Sequence, residues 1–124
     1  MKAGRELDAL IAIRIMGWKH YGTNAHHGTD IWIEPDHHMV GGSGTFHEYH
    51  WSPSHDIRDA WKVVDRMHEL GFFWWFASSP ARPSVVHAHV RRHEDRETVG
   101  NGYATDSTPH SICLAALEAL GVKT

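Results

Sequence analysis

Thiol chemistry is nearly missing from this chain: Cys113 is the only cysteine in 124 residues. That excludes an intrachain disulfide and a thiolate metal cage. Cys113 stands in an apolar helical segment, which predicts a buried, inert thiol. No hydrophobic run approaches the ~20 residues that a membrane-spanning helix needs. The opening MKAGRELDAL carries charges where a signal peptide would have its apolar centre. These absences predict one domain over residues 1–124, located in the cytoplasm of the cell that makes it, with no membrane partner. A large positive excess is also missing. The formal net charge is −3 with neutral histidines, so no strong nucleic-acid footprint is expected at neutral pH. No glycine loop of the GxxxxGK[ST] type is present. Ser78, Ser79 and Ser84 lie beside Pro80 and Pro83, not in a nucleophile elbow.

Histidine, by contrast, is abundant. Thirteen imidazoles would carry the chain from −3 to +10 if all were protonated, and imidazole titrates near pH 6.5. Eight of them fall in residues 20–55, a stretch without lysine or arginine whose acidic residues are Asp30, Glu34, Asp36 and Glu48. That segment swings from −4 to +4. It holds His26-His27, His37-His38, HEYH at 47–50, Trp32 and Trp51. Imidazoles with Asp30, Asp36 or Glu48 have the chemistry of a metal site. The spacing is poor for one, because HEYH separates its histidines by two residues and the metalloprotease arrangement needs three. A solvated polar loop accounts for the segment more simply.

Three segments have helical periodicity and stop at a glycine. Leu7, Leu10, Ile11 and Ile15 share a face before Gly17. Ser54 is the expected N-cap of the second, whose apolar face is Ile57, Ala60, Trp61 and Val64, ending at Gly71. Thr108 caps the third, with Pro109 at its first position and Ile112, Ala115, Ala116, Ala119 and Leu120 on one face before Gly121. Strands are expected at 31–33, 72–76, 84–92 and 97–105, with a loop at 78–83 and a bulge or bend at Gly100-Asn101-Gly102. The order predicts an α+β fold: an antiparallel sheet of about four strands packed with three helices.

Within 84–92, Val86, Ala88 and Val90 alternate with His87, His89 and Arg91. On a strand, His87 and His89 leave the same face about 7 Å apart. With His93 from the strand end they form a candidate zinc or other divalent transition-metal set. With Arg91 and Arg92 they form a candidate anion surface. Trp75 and Trp51 are candidate stacking residues beside them. Trp18, Trp61 and one of Trp74 or Trp75 are expected in the core.

The framework resembles the phage ABA sandwich domain family, small proteins of bacteriophages and prophages. The likeness rests on LDALIAIRIMGW at 7–18, WSPSHDIRDAWKVVDRMHELG at 51–71 and ATDSTPHSICLAALEALG at 104–121. It implies helices packed over an antiparallel sheet and a viral origin, and it brings no catalytic residues. The expectation that follows is a non-enzymatic binding protein in the bacterial host, needing no cofactor and forming a homo-oligomer. Its partner would be a nucleotide signal or a host defence protein. A histidine-based metal-dependent hydrolase is the alternative.

Overall fold

A computed structural model describes residues 1–23, 28–35, 39–40, 51–102 and 107–124. The element order is α1 (Arg5–Arg14), β1 (Lys19–Thr23), β2 (Asp30–Ile33), β3 (Met39–Val40), α2 (Ile57–Glu69), β4 (Phe72–Ser79), β5 (Arg82–Arg92), β6 (Thr98–Asn101) and α3 (Thr108–Ala119).

The three expected helices are present, and each is followed by its glycine in the left-handed region: φ is +72° at Gly17, +94° at Gly71 and +76° at Gly121. Only glycine enters that region without a Cβ penalty, so these positions stop the helices. The N-caps differ from expectation by one or two residues. Asp56, not Ser54, caps α2 by accepting the Arg58 N–H. Ser107, not Thr108, caps α3 by accepting the His110 N–H. Both displaced candidates bond elsewhere: Ser54 Oγ takes the Gly4 N–H, and Thr108 Oγ1 takes the Val86 N–H.

The strands form two antiparallel sheets, ordered β1-β2-β3 and β4-β5-β6. The class is as expected, an α+β sandwich, but among the described residues six strands in two sheets replace about four in one. Two strands were not anticipated. KHYGT in β1 has no apolar alternation to announce it, and β3 is two residues long. The expected loop at 78–83 is shorter, because β4 runs to Ser79 and β5 starts at Arg82. The expected strand at 97–105 is observed over 98–101, and residues 103–106 lie outside the described residues.

Helices α2 and α3 pack on one another and cover one face of the β4-β5-β6 sheet, while α1 touches α3 and β1. The core joins Leu7, Ile11 and Ile15 of α1, Val63 and Met67 of α2, Ala88 and Val90 of β5, and Ile112, Ala116 and Leu117 of α3. Cys113 lies fully buried among them, and burial pushes its thiol well above the ordinary range. Apolar exclusion of this kind is what drives the layers together. Trp18, Trp32 and Trp51 also belong to the core, with the Trp18 and Trp51 rings 4.5 Å apart. Trp61 does not. It is 46% exposed and leans edge-on against Phe76, which stacks on Trp74.

Strand β6 approaches α3 without side chains between them. A Cβ at Gly100 would collide with the Ala115 carbonyl, and one at Gly102 with Ser111. The expected irregularity at 100–102 is therefore a close packing, accompanied by a register shift opposite Val90 and Arg91.

Candidate functional site

The pleat of β5 sends Val86, Ala88 and Val90 toward the helices and His87, His89 and Arg91 to the opposite face. Register then sets their neighbours. Trp75 pairs with His89, Phe73 with Arg91 and Ala77 with His87, while Asn101 of β6 pairs with His89 from the other side. The result is a row of flat groups. The His89 and Trp75 rings stack with centroids 3.9 Å apart at 15°. The Arg91 guanidinium carbon lies 5.2 Å from the centroid of the same indole, within cation–π range. The Asn101 side-chain oxygen accepts from His89 Nδ1 at 2.7 Å. His89 is 1% exposed.

Two donors in this row are shielded from water and have no acceptor among the described residues: Trp75 Nε1 and Arg91 Nε. A buried donor left unpaired costs roughly 1–3 kcal/mol. An acceptor that reached them after a local rearrangement would relieve that cost.

Of the candidates named from the sequence, Trp75, His87, His89 and Arg91 share this face. Arg92 does not. It lies on the alternate face opposite Phe72 and ion-pairs with Asp95 at 3.5 Å and Glu97 at 3.8 Å. Trp51 is elsewhere, in the core, its indole N–H donated to the Asp8 carbonyl. His93 is exposed past the end of β5, edge-on to Phe73. Among the described residues no group of three or more His, Cys, Asp or Glu side chains could hold a metal ion, so His87, His89 and His93 do not form one. The pairs His26-His27 and His37-His38, the HEYH run, Asp36 and Glu48 lie outside the described residues. Asn101 was missed because its flanking glycines read as a bend.

A second feature had no sequence signal. A pocket of about 260 Å³ opens between the start of α1, β2 and the turn before α2. Arg5, Asp8, Asp30, Trp32, Trp51 and His55 are among the residues that line it, with Thr29 and Ser52. Arg5 grips Asp30 through both carboxylate oxygens at 2.8 and 2.9 Å, and His20 Nε2 reaches the same carboxylate at 2.9 Å. The bonds from Arg5, then that from His20, hold the Asp30 carboxyl below its usual range. Asp8 is nearly buried, and Oδ1 accepts the Ser54 N–H at 2.8 Å. Burial pushes its carboxyl up, against the opposing pull of Ser54. From the sequence Asp8 is merely an acidic residue in a helix's first turn, where the macrodipole alone accounts for it.

A helical layer on an antiparallel sheet, with a flat-group row on the sheet's other face, defines an α+β sandwich with no recognisable catalytic constellation among the described residues. The chain belongs to the phage ABA sandwich domain family, whose model matches residues 9–117. The fold is also that of a phage protein from Bacillus cereus ATCC 14579 solved at 2.0 Å, with a TM-score of 0.61 and 21% identity. The likeness covers 96% of this chain and 92% of that one. No curated protein matches the sequence significantly. Among the described residues, no helix is long and apolar enough to cross a membrane.

Proposed function

We propose that this phage-family protein is a non-enzymatic binding protein that sequesters a nucleotide signal of the host cell, countering a host defence. Arg91 and the Trp75 indole N–H would hold the ligand's phosphate oxygens on the outer face of the β4-β5-β6 sheet. The observation that carries this reading is the pair of water-shielded donors without acceptors among the described residues, Trp75 Nε1 and Arg91 Nε. A phosphate offers acceptors for both, and charge-assisted bonds from guanidinium are the strong ones. Phe73 and His87, on the same face, supply ring contacts beside it.

Thermal shift with a panel of cyclic dinucleotides and ADP-ribose derivatives tests this. At least one should raise the melting temperature, and Arg91→Ala should weaken that ligand roughly ten- to hundredfold, the value of one charge-assisted bond. If no nucleotide shifts the melting point at millimolar concentration, the reading fails.

A second reading, a protein that blocks a host defence enzyme directly, draws on a different surface. Ile57 and Trp61 lie one helical turn apart on α2, and Trp61 touches Phe76 of β4; all three are exposed. Exposed aromatics grouped in this way are typical anchors of protein interfaces. Co-purification of one host protein that is lost in Trp61→Ser would favour it, and a clean pull-down from infected cells would count against it.

A further inference from the structure

The pocket between α1, β2 and the turn before α2 is separate from the sheet face and plays no part in the reading above. Its charges do not cancel evenly. Asp30 is satisfied on both oxygens by Arg5 and again by His20. Asp8 has no such ion pair: among the described residues no lysine or arginine pairs with it, and its carboxylate is held by the Ser54 backbone N–H and side chain, with His55 nearby. The pocket therefore carries one nearly buried acid that is held by Ser54 and flanked by His55 rather than by a lysine or arginine. Two tryptophans form its apolar wall, Trp32 and Trp51, both almost fully enclosed. Thr29 also lines the pocket, and its Oγ1 is cut off from water with no hydrogen-bond partner among the described residues. Asp8, Trp32, Trp51 and Thr29 all line the same space of about 260 Å³. That lies just below the usual range for drug-sized ligands, roughly 300–1,000 Å³.

We infer that this pocket binds a small molecule bearing a flat amidinium or guanidinium group, with Asp8 as the charged acceptor, Thr29 Oγ1 as a second acceptor, and Trp32 and Trp51 as the wall. Each feature selects part of that description. A carboxylate meets a planar N–H fork in a bidentate pair, which a spherical ammonium cannot reproduce. Indole walls attract a flat, weakly hydrated cation more than a strongly hydrated one. The unpaired hydroxyl accepts an N–H that a carboxylate-only site would leave exposed. An anion is disfavoured by Asp8, and the Arg5 charge at the rim is already held by Asp30.

Tryptophan fluorescence of the intact protein reports directly on the wall, and benzamidine is a suitable probe. Benzamide, its neutral isostere, and benzoate, of opposite charge, are the controls. Benzamidine should saturate the signal, with benzamide at least roughly tenfold weaker, the scale of one charge-assisted bond, and benzoate silent. Asp8→Asn keeps an oxygen for the Ser54 N–H and should lose at least tenfold in benzamidine affinity. Thr29→Val keeps the volume and should lose a smaller factor, about threefold. If benzamidine fails to saturate by about 10 mM (weaker than any useful site), or if the three probes bind alike, the inference is overturned. Equal benzamidine affinity in a folded Asp8→Asn protein overturns it as well. The probe series on the unmodified protein decides the matter even if a variant does not fold.

Discussion

Two glycines, Gly100 in β6 and Gly102 just after it, have no room for anything but hydrogen. Gly100 faces the Ala115 carbonyl and Gly102 faces Ser111, both across the α3 interface. Gly100→Ala and Gly102→Ala should each destabilise the protein by about 2 kcal/mol or more, because the obstacle is largely backbone and cannot move aside. Urea unfolding checks this, and a loss under about 0.5 kcal/mol, the range of a neutral surface change, would contradict it. The carboxyls of the two acids of the pocket are shifted in opposite directions. Asp30, with its carboxyl held low, contributes stability at neutral pH that is lost as pH falls through its folded value. Asp8, pushed up by burial, binds its proton more tightly folded than unfolded, so it costs stability as pH rises past the ordinary carboxylate range. Asp8→Asn should therefore gain on the native protein between about pH 4 and pH 7. A difference in unfolding free energy that stays flat over that window would contradict the burial account. Neither effect is legible in the sequence, where both residues are ordinary acids.

At the scale of elements, the buried polar contact between α3 and the sheet centres on one hydroxyl, with Thr108 and Glu118 of α3 bonding β5 and β6 further out. Ser111 Oγ accepts the Ala88 N–H at 2.7 Å and donates to the Gly102 carbonyl at 2.8 Å, all buried. Ser111→Ala orphans both backbone groups and should cost about 2–3 kcal/mol. Calorimetry showing an unchanged melting temperature would contradict it. The helices themselves were legible, because the periodicity of Leu7, Ile11, Val64 and Ile112 and the helix-ending glycines are local signals. The alternation of Val86, Ala88 and Val90 likewise told which face of β5 turns inward, and it placed His87, His89 and Arg91 together. What alternation could not tell was what those residues would meet. The Trp75–His89 stack and the Asn101 bond arise from register across three strands, which depends on tertiary packing. The same limit explains Arg92, which shares a sequence run with Arg91 and ends on the other face. It explains Trp51 too, since only the tertiary fold puts a tryptophan preceding α2 beside Asp8. Trp61 failed for another reason: it has the right helical phase, but lies at the border of the buried stripe and spends its ring on Phe76.

For the whole molecule, the histidine load has a consequence independent of any ligand. Imidazole titrates near pH 6.5, so a chain with thirteen of them changes charge steeply between about pH 7.5 and 5.5. Oligomeric state or solubility should change across that window, and light scattering that stays constant would show the histidines to be electrostatically silent. The account's central claim is sequestration: a host nucleotide held at Arg91 and Trp75 and left chemically intact. The most direct test incubates the protein with the nucleotide that shifts its melting point, removes free ligand, denatures the complex by heat and identifies what is released. Near-stoichiometric recovery of the unchanged nucleotide from the native protein, and little from Arg91→Ala, is the predicted result. Release of a cleaved or otherwise altered product, or equal retention by Arg91→Ala, would contradict it.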